Sequence, residues 1–322
     1  MSQHYLVTGG AGFIGSHVVS RLLSAGCRVT VVDNLSSGRR DNIPQHPDLR
    51  FVRADIARVS PGEIGNNIDG IVHLAAIPSV SASWDSPLPT HEVNLSNTLR
   101  VIKLAQALSC GRIVFASSAA VYGDTDRLPI REDGACRPIS PYGLQKLASE
   151  HYLELFAAKA KTQAVALRLF NVFGPRQRPE SEYSGVISVF GNAVLNDRPI
   201  HIFGDGEQTR DFVYVEDVAQ AFHLALVTAL ARSAMLTCNI GLGQQTSINQ
   251  LAQLLGRAAG STAGVAYEPA RQGDIRHSLA DTQFARKQLG FVPEFAVEQG
   301  LRELLAALRP ETGILPSRIG IA

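Results

Sequence analysis

Gly9, Gly12 and Gly15, spaced three apart in VTGGAGFIGSHVV, follow the apolar run YLVT and open an amphipathic stretch that starts at Phe13. Glycines there let the backbone turn sharply, let a pyrophosphate come close, and let helix and strand pack together. The N–H groups of the first helical turn, which includes Phe13 and Ile14, then face the phosphates. The next apolar run, RVTVVD, ends in Asp33, followed by Asn34. A carboxylate at that point can accept hydrogen bonds from the adenosine ribose. The chain is therefore expected to be built around a dinucleotide-binding strand, loop and helix. Asp33 repels a 2′-phosphate and favours NAD over NADP, although Arg39 and Arg40 stand close enough in sequence to attract one.

The rest of the first half repeats this alternation. LRFVRAD, GIVHLAA and RIVFASS are apolar strand candidates separated by helical stretches, one of them starting near His91. Strand, helix, strand at this spacing predicts an α/β fold with a doubly wound parallel Rossmann sheet. SPYGLQKLASEHYLELFAAKA predicts a long helix, and AVALRLFN another buried strand. Glycine, proline and charged residues in FGPRQRPESEYSG then mark a change of organisation. At 322 residues the chain exceeds the usual size of a single core. We expect an NAD-binding domain over 1–171, rejoined by about 211–241. A smaller C-terminal substrate-binding lobe is expected over 172–210 and 242–309, with a loosely held tail over 310–322.

Bulk properties exclude several classes of function. A formal net charge of +1 without long runs of like charge argues against nucleic-acid and membrane-surface partners. No leader-like or membrane-length apolar segment is expected, and Cys27, Cys110, Cys136 and Cys238 lie far apart with no C-x-x-C pair. No metal site is expected, and a reducing cytoplasmic setting fits.

Tyr142 and Lys146 stand four residues apart on the expected long helix, so both project from one face. A free tyrosine with a pKa near 10 is only about one part in a thousand ionised at neutral pH. A lysine ammonium beside it, with the positive nicotinamide ring, would stabilise the phenolate and lower that pKa. Ser118, ending the strand RIVFASS, can hydrogen-bond the reacting oxygen. The glycine spacing resembles that of the short-chain dehydrogenases, and this resemblance implies that Asp55 and Ile56 after the third strand, and Ala75 and Ala76 after the fourth, line the cofactor.

TGGAGFIG, HLAA, FASSAAVYG, SPYGLQK, RLFNVFGPRQ, IFGDGEQTRDFVYVEDV and GDIRHSLAD together resemble the extended short-chain dehydrogenases/reductases, specifically the UDP-hexose 4-epimerases. The resemblance implies a homodimer with tightly held NAD and a UDP-sugar in an interlobe cleft, its interface built from helices near 91–109 and 140–160. It implies that Tyr142 removes the 4-hydroxyl proton while hydride leaves C4. Carried over by motif, Asn171 would hold the diphosphate side of the substrate, and Gly185 with Val186 would lie along the uridine pocket. His201 and Phe203 would frame uracil, Arg210 and Arg271 would pair with the phosphates, and Asp274 would take the ribose hydroxyls. The related 4,6-dehydratases carry an Asp-Glu pair after the serine or threonine, and the decarboxylases a Glu. This chain has Ala119 and Ala120 there, which leaves epimerisation.

Ser278 in RHSLAD borders the sugar pocket in the resembling epimerases, where a tyrosine accompanies restriction to UDP-glucose and UDP-galactose. With Ser79 in the loop IPSVSAS placed to touch the sugar, this chain looks closer to the UDP-GlcNAc 4-epimerases, although Pro78 stands where those tend to have glycine. Two alternatives stay open. UDP-glucuronate would need Arg178 or Arg276 to meet its C6 carboxylate, and a catalytically silent nucleotide-sugar binder could share the fold.

Overall fold

The computed structural model describes residues 2–159, 162–177, 185–230, 235–270 and 275–309. The chain starts with β1 (His4–Thr8), α1 (Phe13–Ser24), β2 (Arg28–Asp33), β3 (Leu49–Arg53), α2 (Pro61–Ile64) and β4 (Gly70–His73). Two short helices, α3 (Val80–Asp85) and α4 (Pro87–His91), lead through a π-helical turn (Glu92–Ser96) into α5 (Asn97–Ala107). Then come β5 (Arg112–Ser118), α6 (Pro141–Lys159), β6 (Gln163–Leu169), β7 (Asn171–Phe173), α7 (Val186–Leu195), β8 (Ile200–Phe203), β9 (Thr209–Arg210) and β10 (Phe212–Tyr214). The chain continues with α8 (Val215–Val227), β11 (Met235–Ile240), β12 (Thr246–Ser247), α9 (Ile248–Ala259), β13 (Val265–Glu268), α10 (Gln283–Leu289) and α11 (Val297–Leu308).

Seven strands form one sheet in the order β11-β6-β5-β4-β1-β2-β3, every pairing parallel. The strand-to-strand switch beside β1 is the Rossmann arrangement, with the ligand crevice at the carboxyl ends of the strands. Side chains alternate between two buried faces. Tyr5 and Val7 of β1, Val114 and Ala116 of β5, and Val165 and Leu167 of β6 join one core under α1, α8 and α10. Leu6, Ile113, Phe115, Ala164 and Ala166 join the other, under α5 and α6. Burial on both faces is why these strands read as continuous apolar runs, and each fully buried aliphatic side chain contributes roughly 1.5–3 kcal/mol.

A separate core gathers Phe173, Phe190, Ile202, Phe212, Tyr214, Leu251, Leu255, Leu301 and Leu304 from β7, α7, β8, β10, α9 and α11. Its rings meet edge to face, Phe173 lying 6.4 Å from Phe212 and 5.7 Å from Tyr214. Ala285, Leu289 and Phe291, in a stretch the sequence assigns to the smaller lobe, are instead buried in the sheet core beside α8. The apolar side of α10 finds β11 and α8 as its nearest partners. The tail over 310–322 lies outside the described residues. Among the described residues, no helix is long and apolar enough to cross a membrane.

Candidate active site

The loop after β1 folds as its glycines require. Gly9 has φ +71°, and a Cβ on it would come within 2.7 Å of the Ala75 amide nitrogen. A Cβ on Gly15 would overlap the Gly9 carbonyl, so α1 packs directly against the loop. Gly12 supplies no side-chain cap, and the first turn of α1, with Phe13 and Ile14, presents its amides without one. Asp33 ends β2 nearly buried, its two carboxylate oxygens accepting from Ala11 N (2.9 Å) and Leu35 N (2.8 Å). Asn34 and Asp55 lie together across the ends of β2 and β3, 3.4 Å apart, with Ile56 buried beside them. Ala75 N donates to Thr8 Oγ1, which brings the end of β4, with Ala76, against the glycine loop. A cradle a Cβ would fill, an uncapped helix start and a carboxylate at the neighbouring strand end fit a dinucleotide.

Ser118, Tyr142 and Lys146 converge at the carboxyl end of β5. The Ser118 hydroxyl lies beside the Tyr142 phenol, close enough to act on its pKa, and Ser118 Oγ accepts from Ala120 N at 3.2 Å. Lys146 Nζ donates to Ala116 O at 2.7 Å and stands 4.8 Å from the Phe115 ring centre and 5.8 Å from that of Tyr142. Burial pushes the Tyr142 pKa up to about 12, opposed only by the Ser118 hydroxyl. Lys146 is not among the groups that act on it in the protein alone, and the expected lowering also involves the nicotinamide ring. Lys146 is itself desolvated, its pKa brought down to about 8 by burial and supported by Glu150 one turn further on. The phenol is therefore a neutral proton holder in the protein alone.

Residues expected around a substrate are tied together by Asp211, between β9 and β10. Its fully buried carboxylate accepts from Leu242 N (2.7 Å), Gly243 N (2.9 Å) and Ala280 N (3.1 Å). Burial pushes its pKa up to about 6, and the three N–H groups pull the other way. Its carbonyl accepts from Asn171 N, and Ser278 N donates to Thr209 O at 3.1 Å. Asn171, Arg210 and Ser278 thus share one neighbourhood, Ser278 half-buried. His201 and Phe203 share one face of β8, His201 exposed and 3.1 Å from Glu268. Gly185 starts α7 with Val186 next to it. Ser79 caps α3, accepting from Ala82 N at 3.0 Å. Arg276 forks onto Asp205 with two 2.8 Å bonds. Arg178, Arg271 and Asp274 lie outside the described residues. No group of metal-ligating side chains occurs among the described residues.

The sequence reading singles out neither Ser83, Glu150 nor Arg168, all buried against this site. Glu150 accepts from Ser117 Oγ and from Arg168 Nη2 at 2.7 Å, and Arg168 Nη1 donates to the Tyr122 hydroxyl at 2.9 Å.

The profile of the NAD dependent epimerase/dehydratase family matches residues 5–241. A UDP-glucose 4-epimerase of Mycolicibacterium smegmatis is 37% identical over 310 residues, covering 94% of this chain and 98% of that protein. Among solved structures, a UDP-N-acetylglucosamine 4-epimerase of Methanobrevibacter ruminantium, in complex with UDP-N-acetylmuramic acid, superposes with a TM-score of 0.90 at 37% identity, covering 95% and 98% of the two chains. A UDP-glucuronic acid 4-epimerase of Bacillus cereus, in complex with UDP-glucuronic acid and NAD, does so with a TM-score of 0.87 at 30% identity and the same coverage. With its glycine cradle, its seven-stranded parallel sheet and these likenesses over nearly the whole length, the chain belongs to the NAD-dependent epimerase/dehydratase family of extended short-chain dehydrogenases/reductases.

Proposed function

We propose that this enzyme is a UDP-sugar 4-epimerase that interconverts UDP-GlcNAc and UDP-GalNAc, with UDP-glucose and UDP-galactose as weaker substrates. The observation that carries this reading is Ser118 beside Tyr142 with Lys146 one turn along the helix, and Ala119 and Ala120 directly after Ser118. That set can move one proton at a sugar hydroxyl, and those two alanines offer no second acid or base for elimination or decarboxylation. Bound NAD would supply a reversible hydride acceptor for C4, so no external oxidant would be consumed. Tyr142 takes the 4-hydroxyl proton and gives it back to the other epimer, and Ser118 holds the reacting oxygen. Gly9, Gly12, Gly15 and Asp33 hold the dinucleotide, lined by Asp55, Ile56, Ala75 and Ala76. Asn171, Gly185, Val186, His201, Phe203, Arg210, Arg271 and Asp274 hold the UDP portion, and Ser79 faces the sugar.

Ser278 sets the sugar size. An N-acetyl group adds volume at C2 that a close-packed interior accepts only where room already exists, and the half-buried Ser278 beside β9 leaves more of it than a tyrosine would. Incubating the purified protein with UDP-GlcNAc, UDP-glucose and UDP-glucuronate separately is expected to yield the epimer of the first most readily. Ser278→Tyr is expected to suppress the acetylated pair while sparing the non-acetylated one. Turnover of only the non-acetylated sugars by the wild type, or equal loss of both pairs in the variant, would overturn the size argument. The bidentate Arg276–Asp205 pair weighs against UDP-glucuronate, because that guanidinium already has its carboxylate partner.

The enzyme acts as a homodimer in the cytoplasm. Of the two helices expected at the interface, near 91–109 and 140–160, the second, α6, exposes Leu144, Tyr152 and Leu155, and Trp84 and Leu88 on the adjoining α3 and α4 are exposed as well. A second copy packed there would bury them, as patches of this kind on soluble proteins usually are. Sedimentation is expected to give twice the 34.6 kDa chain mass, and Leu155→Glu to shift it to the single chain. A monomeric wild type at micromolar concentration would exclude the dimer. The four cysteines are free thiols, which agrees with a reducing compartment.

A further inference from the structure

The amino end of α6, where Tyr142 sits, accounts for its backbone donors one by one. Pro141 has no N–H, which suits the first position of a helix. Gly143 N donates to Ser140 Oγ at 3.1 Å, and Leu144 N makes the first intrahelical bond, to Ser140 O at 3.0 Å. The Tyr142 amide remains, and its partner is not a local cap. It donates to Ser83 Oγ at 3.0 Å, 59 residues earlier in sequence. Ser83 is fully buried, and its own proton goes to Val80 O at 2.6 Å, which turns its lone pair toward Tyr142. It belongs to α3, the short helix that Ser79 caps.

A second clamp joins the same segment to the same helix. The Asn94 side chain accepts from Ile77 N (2.8 Å) and donates to Ile77 O (3.1 Å) and Gln145 Oε1 (2.8 Å), and Gln145 Nε2 reaches Thr90 Oγ1 at 3.3 Å. Asn94 lies in the π-helical turn, a distortion that often marks functional sites. Residues 77–90 are thus pinned near both ends to α6, and the pin at Ser83 falls on the backbone of the tyrosine.

We propose that Ser83 is a positioning residue of the reaction, coupling the sugar-facing segment 77–90 to the backbone of Tyr142 so that the seat of the sugar and the seat of the phenol are set together. The proposal rests on the epimerase reading above, with Tyr142 as proton carrier and Ser79 facing the sugar. Misplacing a reacting group by about 1 Å can cost on the order of 100-fold in rate, and one lost hydrogen bond loosens the tyrosine by less than that.

Ser83→Ala is expected to lower kcat about tenfold, equivalent to about 1.4 kcal/mol, with KM within about twofold and NAD content unchanged. Ser83→Cys fills the same space with a weak acceptor, and a similar fall in kcat is expected from it. Ser140→Ala removes a cap from the same helix without touching segment 77–90. Its thermal midpoint is expected to fall as far as that of Ser83→Ala, while its kcat stays within about threefold of wild type. Normal kcat in Ser83→Ala, a loss confined to KM, or an equal loss in Ser140→Ala would make Ser83 a structural cap and overturn the proposal. Failure of the wild type on every UDP-sugar would instead overturn the epimerase reading, and that result is visible before any variant is made.

Discussion

Tyr142→Phe is expected to fold, keep its cofactor and lose at least about 100-fold in turnover of its UDP-sugar, the usual minimum worth of a positioned acid or base. Removing one oxygen from a half-buried ring leaves the packing of α6 intact, and Ser118 keeps the Ala120 amide as a partner. What goes is the proton carrier. Neither Ser118 nor Lys146 can replace it, because the Ser118 hydroxyl is only a weak acid and base and Lys146 Nζ is turned to the Ala116 carbonyl. Burial holds the Tyr142 phenol near a pKa of about 12 in the protein alone, so the rate depends on positive charge reaching the ring when NAD is present. Mass spectrometry of the cofactor released on denaturation checks that the variant is loaded, and is expected to give NAD from both proteins if the Asp33 carboxylate has the role proposed for it. Turnover within about tenfold of wild type would remove Tyr142 from the reaction, and recovery of mostly NADP would remove the role given to Asp33.

Arg168→Met is expected to cost about 3–5 kcal/mol of stability, because it strands a buried carboxylate. Arg168 and Glu150 are 7% and 6% exposed at their side chains. Arg168 Nε and Nη2 fork onto Glu150 at 3.0 and 2.7 Å, while Nη1 holds the Tyr122 hydroxyl. Without the guanidinium, Glu150 keeps only Ser117 as a hydrogen-bond partner, and the thermal midpoint is expected to drop by roughly 5–10 °C. The double variant Glu150→Leu/Arg168→Met should recover most of that loss, since a well-packed apolar pair replaces a buried ion pair at little cost. Its activity should not recover with its stability, because Glu150 is the carboxylate that opposes discharge of the buried Lys146. A single variant as stable as wild type would show that the pair contributes little, and a double variant of normal turnover would show that Lys146 does not depend on Glu150.

The features legible from residue order are those whose physics is local. Glycine at positions 9, 12 and 15 has a backbone meaning wherever the chain goes, and β-branched runs separated by amphipathic stretches yield parallel strands covered on both faces. The four-residue step from Tyr142 to Lys146 places both on one side of any helix. The parallel sheet and the shared helix face of Tyr142 and Lys146 follow from these rules, whereas the seventh strand and the approach of Ser118 depend on the tertiary fold. Arg276 was open to a substrate carboxylate until its fork onto Asp205, 71 residues away, gave it a partner. Ser83, Glu150 and Arg168 carry no motif: a serine in a short helix, an i,i+4 neighbour of a lysine and an arginine in a strand acquire a role only from what lies across the fold. The same holds for the burial that raises the Tyr142 pKa in the protein alone. Desolvation and long-range hydrogen bonds depend on which distant segments close over a group, so residue order alone determined the scaffold and its reactive pair, and tertiary structure decided how that pair is held and charged.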